Sequence, residues 1–406
     1  MKSYKHFVSV TAQVYFCSSP IRIDSYNRCQ FGCTYCFARS RSKVNALSGL
    51  REANTVNFQR RLERVARAEI RSSLDEFLER RVPIQLGALQ DPFSPMEESK
   101  QVTLRLMHTL KDHSYPTILS TKGDLFRKNR YLDLLAGMNA YVRLSAAGVA
   151  ETYRPAVDFR CGSFRSVLER IRFLARVPIP VSLRIQPVIP GFEDFALDMA
   201  VEAAGAGAKH VSFEYLKLAS ESLSSDVRRI GNAVQKDVWG EMQQAGIRRI
   251  GRDYTLVASA KAPFVETARK LCQRLGITFG AGDTEFIHLS DGNSCCSGSS
   301  HFLRGASEFR ANFSGILSRK ADGELVQFPE LLAEWSPKHN VHTYLATNSR
   351  GRDRTGKYSD WMSLLAHRWN GGKSPYSPSF FAGVTWTRRF DKEGYKIYQF
   401  RNPLQE

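Results

Sequence analysis

The sequence predicts an α/β protein: a partial parallel β/α (TIM-like) barrel of about six strands, followed by a C-terminal α+β extension. From about residue 80, short β-branched or apolar runs alternate with segments of helical periodicity, which is typical of parallel strands joined by crossover helices. After residue 290 the alternation stops, and loop-like and short-strand patterns take its place. We therefore predict a barrel in residues 1–290 and a basic extension in residues 291–406.

Six runs in the alternating region are predicted to be strands, because each is apolar and ends in small or polar residues. They are PIQLGAL (83–89), PTILSTK (116–122), AYVRLSA (140–146), PVSLRIQPVIP (180–190), HVSFEYL (210–216) and ITFGAG (277–282). The segments between them repeat apolar residues at helical spacing, for example in 96–113, 163–177 and 225–246. The tail of the extension is predicted to form short strands joined by a turn at Asp391–Gly394.

The composition is that of a folded protein, with 42% hydrophobic residues. No apolar run approaches the roughly 18 residues that a membrane-spanning helix needs, and the first residues lack the apolar core of a signal peptide. We therefore expect a cytoplasmic protein without a membrane partner; the sequence does not indicate its oligomeric state. The formal net charge of +18 makes nucleic acid a candidate partner, with a merely solvated basic surface as the alternative.

Three of the eight cysteines, Cys29, Cys33 and Cys36, lie within eight positions. Few, clustered cysteines in a reducing compartment indicate metal binding or catalysis rather than a disulfide scaffold. Ferredoxin-like iron–sulfur clusters take four cysteines, so three thiolates leave one iron with the open position that a catalytic metal centre requires. The alternative is structural zinc with a distant fourth ligand, although no second C-x2-C pair follows.

The pattern Cys29-x3-Cys33-x2-Cys36-Phe37, followed by βα units, closely resembles the radical SAM superfamily. The resemblance implies a [4Fe–4S] cluster on the three cysteines and S-adenosylmethionine (SAM) on the open iron. It also implies an electron donor of the flavodoxin or ferredoxin type and cleavage of SAM to a 5′-deoxyadenosyl radical, which abstracts hydrogen from the substrate. Tyr35 and Phe37 would lie against the adenine of SAM.

A narrower resemblance, over about residues 20–290, is to the spore photoproduct lyase-like (DNA repair photolyase-like) group. The stretch LQDPFSPMEE (89–98) is similar to the Asp-Pro-aromatic-x-Pro-x-Glu signature of that group. Three further stretches match in the expected order, at 119–129, 142–148 and 183–191. The matched stretches fall near the carboxyl ends of predicted strands, where a parallel barrel places its chemistry.

This resemblance implies cofactor contacts from the matched stretches. Lys122 would hold the carboxylate of SAM, and Arg143 and Ser145 would bond its methionyl group or ribose. Arg184 is either a cofactor contact or part of a structural ion pair with a carboxylate such as Asp91 or Glu97. The other residues predicted to bind the cofactor are Gly87, Gln90, Asp91, Gln186 and Ile189.

The sequence departs from the lyase itself in its other cysteines. The lyase repairs DNA with a cysteine hydrogen donor between its cluster and its Asp-Pro motif, but no cysteine lies between Cys36 and Cys161 here. Repair of the spore lesion is therefore disfavoured. Cys161 is either a hydrogen donor or an ordinary loop cysteine. The adjacent Cys295 and Cys296 are candidate hydrogen donors, a thiol pair or ligands of an auxiliary cluster.

The leading hypothesis is a cytoplasmic radical SAM enzyme that acts on a nucleic acid or nucleotide. Aromatic and basic residues are interleaved in the tail, which suits base stacking beside phosphate contacts, although packing of a small sheet explains the same pattern. These residues are Trp386, Arg388, Arg389, Phe390, Tyr395 and Tyr398. One alternative is modification of a peptide or small metabolite by the same radical, and another is a zinc-stabilised nucleic-acid-binding protein without enzymatic activity.

Overall fold

The computed structural model describes most of the chain. The described residues are 7–41, 49–293, 295–296, 301–345, 358–371 and 377–404. Their strands are β1 (Val8–Val10), β2 (Ile21–Ile23), β3 (Ile84–Leu86), β4 (Thr117–Thr121), β5 (Ala140–Gly148), β6 (Val181–Val188), β7 (His210–Tyr215), β8 (Leu218–Ala219), β9 (Ile247–Ile250), β10 (Asp253–Leu256), β11 (Thr278–Ala281), β12 (Leu325–Val326), β13 (Val384–Phe390) and β14 (Lys396–Phe400).

The largest sheet among the described residues has eight strands in the order β1-β2-β3-β4-β5-β6-β7-β11. Every neighbouring pair in it is parallel except β1 with β2. Within the described part of the chain β11 does not pair with β1, so the sheet forms a partial barrel. Two small antiparallel sheets, β8-β10-β9 and β12-β14-β13, accompany it.

The predicted α/β class and partial parallel barrel are confirmed. All six predicted strands are present, as β3 to β7 and β11. The first two strands of the sheet were not among the six, and each is only 3 residues long. Strands of that length show no alternation that a sequence pattern can reveal.

Helices follow most strands, and two predicted helices are each divided in two. The breaks fall at Gln101 and Gln235, which both have φ of +53°. This left-handed backbone ends one helix and lets the next begin in a new direction. No helix among the described residues is long and apolar enough to cross a membrane. The α-helices are α1 (Ala38–Arg41), α2 (Thr55–Ala66), α3 (Ser73–Glu79), α4 (Glu97–Lys100), α5 (Val102–Asp112), α6 (Asn129–Gly137), α7 (Arg154–Val157), α8 (Phe164–Arg176), α9 (Glu193–Ala206), α10 (Leu223–Val234), α11 (Val238–Ala245), α12 (Ala258–Arg274), α13 (Phe313–Leu317), α14 (Pro329–Leu332) and α15 (Trp361–Asn370).

Side chains alternate between the two faces of the barrel sheet. Leu144 and Leu183 belong to the apolar face, which is buried against the helices. Arg143, Ser145 and Arg184 occupy the alternate positions of β5 and β6 and point to the opposite face. We call this polar inner face the lumen, because it lines the interior of the partial barrel.

The extension packs against the amino-terminal end of the barrel. The N–H groups of Phe309 and Phe313 donate to the carbonyls of Ser18 and Tyr15, at 2.8 and 2.9 Å, just before β2. Trp361 stacks on Tyr15 with 5.3 Å between the ring centroids. Extension and barrel share one continuous core, and the domain boundary at residue 290 stays a prediction. The carboxyl ends of the strands therefore remain for the functional site.

Candidate active site at the carboxyl ends of the strands

The three clustered cysteines lie in the loop that follows β2, at the carboxyl end of the parallel strands. Cys33 is buried, Cys36 is half-buried and Cys29 is exposed. The middle of the loop is fixed to the neighbouring βα loop, because the Thr34 N–H donates to the Val157 carbonyl at 3.1 Å. Helix α1 begins directly after this loop. The cysteines therefore occupy the position that a barrel reserves for chemistry.

The three thiols influence one another electrostatically. Although Cys29 keeps contact with solvent, desolvation by the surrounding protein raises its pKa to about 12, and the charges of Asp91 and Cys33 add to this. Burial and the charge of Cys33 also raise the pKa of Cys36. The pKa of Cys33 itself is lowered, first by a hydrogen bond from Cys161 and also by the nearby Lys122 ammonium. Neighbouring thiolates that repel one another form a donor set that a cationic iron centre stabilises.

A fourth thiol lies beside this loop. Cys161 Sγ is 3.8 Å from Cys33 Sγ, and both side chains are buried. Among the described residues, Cys33, Asp158 and Cys161 are the one group of three His, Cys or carboxylate side chains whose ligand atoms lie within 4.8 Å of one another. The structure thus places Cys161 close to the reactive end of the barrel. Its role as a hydrogen donor stays a prediction.

Lys122, just after β4, is bound by residues of the chain itself. Its Nζ donates to Asp158 Oδ1 at 3.0 Å and to the Ser145 carbonyl at 3.1 Å. The Nζ also lies 5.5 Å from the centre of the Tyr35 ring. The Tyr35 hydroxyl donates a short hydrogen bond to Asp158, and Arg154 NH1 donates to the same carboxylate at 3.2 Å. Tyr35 and Lys122, predicted separately, are therefore joined through Asp158.

Asp158 is ionised despite its burial. Burial alone would raise the pKa of its carboxyl group, but the Lys122 ammonium and the Tyr35 hydroxyl more than offset this and hold the pKa below its ordinary value. The carboxylate in turn raises the pKa of Lys122, against the effect of burial. Sequence reasoning missed Asp158; its place in the loop after β5 was the one available signal.

The residues of the 89–98 stretch build the loop that faces this pair. Asp91 is buried and accepts hydrogen bonds from Thr121 Oγ1 at 2.7 Å, the Lys122 N–H at 2.6 Å and the Phe93 N–H at 2.9 Å. Its carboxylate therefore fastens this loop to the end of β4. Gln90 Nε2 donates to the carbonyl of Asn27, just before the first cysteine of the cluster loop, at 3.1 Å. These contacts are structural, and direct cofactor contacts for the two residues stay predictions.

Gly87 allows the loop that contains Pro92 to approach strand β4 closely. It has φ of +88°, and a Cβ at this position would come within 2.5 Å of both Pro92 Cδ and the Ser120 carbonyl oxygen. Only glycine avoids that clash and tolerates this backbone.

Arg184 has a different ion-pair partner from the predicted Asp91. Its NH2 donates a short hydrogen bond to Glu214 on β7, and its Nε donates to Gln186 Oε1 at 2.5 Å. Lys217 Nζ also donates to Glu214, at 2.5 Å. Burial would raise the pKa of Glu214, but the two cations more than offset it and lower the pKa. The prediction of Asp91 or Glu97 as the partner was wrong, because register places Glu214, on the adjacent strand, nearer.

The other predicted residues are distributed around the lumen. Arg143 donates through Nε to Ser120 Oγ at 3.0 Å, through NH2 to Gln85 Oε1 at 3.2 Å and through NH1 to Cys296 Sγ at 2.7 Å. Phe37 is half-buried after the cysteine loop, and Ile189 is fully buried after β6.

Cys295 and Cys296 lie inside the lumen with their sulfurs 3.8 Å apart. Among the described residues no third His, Cys or carboxylate group joins them within 4.8 Å. The nearby His288 is occupied elsewhere: its Nε2 lies 3.1 Å from the Ala382 carbonyl oxygen. The described residues therefore show a thiol pair here, without the third ligand that an auxiliary cluster requires.

A family model of the radical SAM superfamily matches residues 23–204, which include the three clustered cysteines and Lys122. The chain carries a radical SAM domain. A spore photoproduct lyase mutant with bound AdoMet and dinucleoside spore photoproduct is structurally similar, with a TM-score of 0.50 and 15% identity over 66% of this chain and 79% of the lyase. The lyase complexed with the dinucleoside gives a TM-score of 0.49 and 14% identity over 64% and 76% of the two chains. Streptococcus suis SuiB bound to S-adenosylmethionine gives 0.38 and 12% over 54% and 47%. No curated protein sequence matches the chain.

Residues 23–204 therefore form a radical SAM domain, which indicates an enzyme, and the chain has a spore photoproduct lyase-like fold. The family implies a [4Fe–4S] cluster and SAM as its cofactors. The residue types present fit both, because three thiols share one loop and a buried, charged Lys122 lies beside Cys33. The three sulfurs do not all lie within 4.8 Å of one another in this structure, so the loop would have to draw them together around a cluster. The zinc-stabilised, non-enzymatic alternative was wrong. The individual cofactor contacts stay predictions.

Proposed function

We propose that this radical SAM enzyme acts on a nucleic acid or nucleotide, from which a hydrogen atom is abstracted. When bound, the cluster and SAM supply the 5′-deoxyadenosyl radical, using one electron from a donor that we assign to the flavodoxin or ferredoxin type. Cys161, Cys295 and Cys296 are the candidate residues for returning a hydrogen atom to the product. The observation that carries the substrate class is the outward surface of the β13–β14 hairpin.

This surface combines exposed aromatic rings with cations. Trp386 and Phe390 are exposed by 41% and 53%, and their rings meet edge to face with centroids 5.6 Å apart. Arg388 and Arg389 are exposed beside them, and Lys396 Nζ lies 5.0 Å from the centre of the Trp386 ring. We call these five residues the hairpin face. Rings that stack on bases and cations that contact phosphates are the two components of single-strand nucleic-acid binding.

The other two aromatic residues predicted for this surface face inward. Tyr398 is buried, and its hydroxyl donates to the Trp369 carbonyl at 2.5 Å. Tyr395 lies against Phe328 with 4.3 Å between the ring centroids. Sheet packing explains these two tyrosines, so the nucleic-acid hypothesis depends on the hairpin face.

Further observations support the proposal. The formal net charge of +18 favours a polyanionic partner. One structurally similar lyase holds a dinucleoside photoproduct. All eight cysteines are free thiols, as a reducing compartment maintains them, and we therefore place the enzyme in the cytoplasm.

Binding of a fluorescein-labelled single-stranded oligonucleotide to the anaerobic holoenzyme tests the proposal. We expect affinity to fall steeply with added salt, because phosphate contacts release counterions. The double variant Trp386→Ala/Phe390→Ala should bind at least about 30-fold more weakly, since two stacked bases at about 1–3 kcal/mol each contribute about 2 kcal/mol or more. Leu332→Ala, which removes an apolar side chain elsewhere that is 61% exposed, should bind like the wild type.

Reductive cleavage of SAM to 5′-deoxyadenosine without substrate provides the internal control. The double variant should retain it, because the hairpin face lies outside the cofactor site. Absence of oligonucleotide binding at low salt, or equal binding by wild type and double variant, would overturn the assignment of substrate class and leave the radical SAM chemistry intact.

A further inference from the structure

The adjacent thiols Cys295 and Cys296 lie in the lumen. None of the predicted contacts to the cluster or to SAM uses either of them. The Cys295 carbonyl oxygen lies 2.9 Å from the position that a Cβ on Gly280 would take, so a larger residue there would exclude this segment. Strand register places Gly280 in one row with Ser212 and Arg184 across β11, β7 and β6. Cys295 is half-buried and Cys296 is 2% exposed. The pair is therefore held against the inner wall of the barrel.

The two sulfurs differ in their charged neighbours. Arg143 NH1 donates to Cys296 Sγ at 2.7 Å, whereas Arg184 NH1 is 3.9 Å from Cys295 Sγ. A hydrogen bond from Cys295 and the Arg143 cation lower the pKa of Cys296 to about 6, against the effect of burial. The same hydrogen bond, together with burial, raises the pKa of Cys295. Cys296 is therefore the more acidic thiol of the pair and supplies its thiolate.

We propose that Cys295 and Cys296 are a redox-active thiol pair, which low-molecular-weight disulfides oxidise to a vicinal disulfide inside the barrel. The thiolate of the pair attacks one sulfur of the external disulfide, breaks its S–S bond and releases one thiolate. That thiolate takes the proton from the remaining thiol of the pair. The freed sulfur then attacks the mixed disulfide and expels the second thiolate. The two cysteines lose two electrons, and the external disulfide gains them.

The sulfurs are close enough for this bond, and the bond should be easy to reduce. They are 3.8 Å apart and need to approach to about 2.05 Å. Adjacent residues have Cα atoms only about 3.8 Å apart, whereas most disulfides span about 4.4–6.8 Å between Cα atoms. A disulfide between neighbours is therefore strained, and strained disulfides are the labile, regulatory ones.

Oxidation would change the charge of the lumen. The thiolate that accepts the hydrogen bond from Arg143 would disappear, and the local charge would become more positive by one unit. Arg143 lies on β5 two residues before Ser145, whose carbonyl accepts a hydrogen bond from Lys122. The redox state of the pair would thus act on the strand that reaches the cofactor end of the barrel. This inference does not depend on the proposed substrate class.

Anaerobic redox titration of the holoenzyme in mixtures of reduced and oxidised glutathione tests the proposal, with alkylation and peptide mass spectrometry as the readout. We expect both cysteines of the 295–296 peptide to be alkylated in reduced buffer and neither in oxidised buffer, with the peptide lighter by two hydrogens. Reduced dithiothreitol should reverse the change. Cys272, whose pKa burial raises to about 12 and which does not interact with the pair, should stay alkylatable after denaturation at every ratio. Two alkylatable thiols at 295–296 across the whole range would overturn the proposal.

A second measurement does not require the disulfide to form. In a Cys295→Ser background, the pH dependence of Cys296 alkylation by iodoacetamide reports the thiolate. We expect Arg143→Gln to raise the apparent pKa and to slow alkylation at pH 7 about tenfold, because the thiolate fraction follows its cationic partner. Arg143→Lys keeps the charge and should retain most of the reactivity. Identical pH profiles in the three proteins would refute the thiolate assignment, and neither experiment involves nucleic acid.

Discussion

Replacing Asp158 with asparagine tests the charge network that organises the ends of β4 and β5. Asp158 is 2% exposed and pairs with Lys122 at 3.0 Å and Arg154 at 3.2 Å. Asparagine keeps the shape of the side chain and removes its charge. Lys122 would then be left without a carboxylate within 4 Å among the described residues, whereas Arg154 would keep Glu151 at 3.0 Å.

The expected cost follows from the burial of these groups. Removing one partner of a buried ion pair costs about 3–5 kcal/mol, because the other charge stays buried without compensation. Lys122→Met should cost less, about 1–3 kcal/mol, since Asp158 keeps its hydrogen bonds from Arg154 and Tyr35. The double variant leaves no isolated ammonium and should cost no more than Asp158→Asn alone. The two substitutions should therefore be non-additive by about 1–3 kcal/mol.

Urea unfolding of the cofactor-free protein, followed by circular dichroism and tryptophan fluorescence, measures these free energies where the two probes coincide. The pKa of Asp158 is lower in the folded than in the unfolded protein. Its contribution is therefore complete above the unfolded value of about 3.9 and is lost as the pH falls through the folded value. The stability difference between wild type and Asp158→Asn should shrink at acidic pH. Additive costs, or a cost of Asp158→Asn below about 1 kcal/mol, would refute the reasoning.

Three further predictions use the same wild-type protein. Gly87→Ala should lower the free energy of unfolding by at least about 2 kcal/mol more than Gly394→Ala. Both glycines have positive φ (+88° and +82°), but only at Gly87 would the added Cβ clash with its surroundings. Equal unfolding free energies of the two variants would contradict this. Cys33→Ala should abolish iron loading and visible absorbance after anaerobic reconstitution, as should replacement of either other cysteine of the cluster loop, and retention of a full cluster would contradict the ligand assignment. Lys261→Met should destabilise the protein by about 3–5 kcal/mol in urea unfolding, since this fully buried ammonium pairs with Asp283 at 2.6 Å, and a change below about 1 kcal/mol would show that the pair is dispensable.

The barrel could be predicted because its signal is local. Each predicted strand is a continuous apolar run bounded by polar residues, and each crossover shows helical periodicity. The hydrophobic pattern of the sequence did not reveal β1 and β2, because a strand of 3 residues is too short to show alternation. The sequence also did not indicate the helix breaks at Gln101 and Gln235, because glutamine is a good helix former and is not typical of turns.

The site was predictable to the extent that its members are neighbours in sequence. Cys29, Cys33 and Cys36 share one loop, so their spacing alone indicated a metal centre. Lys122 and Asp158 are 36 residues apart and meet because β4 and β5 are adjacent parallel strands. No sequence pattern predicts an ion pair between residues so far apart in the chain. The ends of neighbouring strands were known to converge, but which carboxylate would reach the lysine depended on loop geometry.

Lys122 and Arg143 differ in how many of their N–H donors are still available to a cofactor. A lysine ammonium has three N–H donors, and Lys122 uses two of them within the described residues, on Asp158 and the Ser145 carbonyl. One donor remains for a cofactor carboxylate without the loss of an existing contact. Arg143, by contrast, is held through Nε, NH1 and NH2 by partners on three sides, one of which is Cys296. A cofactor that recruited this guanidinium would have to displace a charged thiolate from it. We therefore expect Lys122, rather than Arg143, to contact the cofactor, and Arg143 to remain the partner of the lumen thiols, although both residues match the same family pattern.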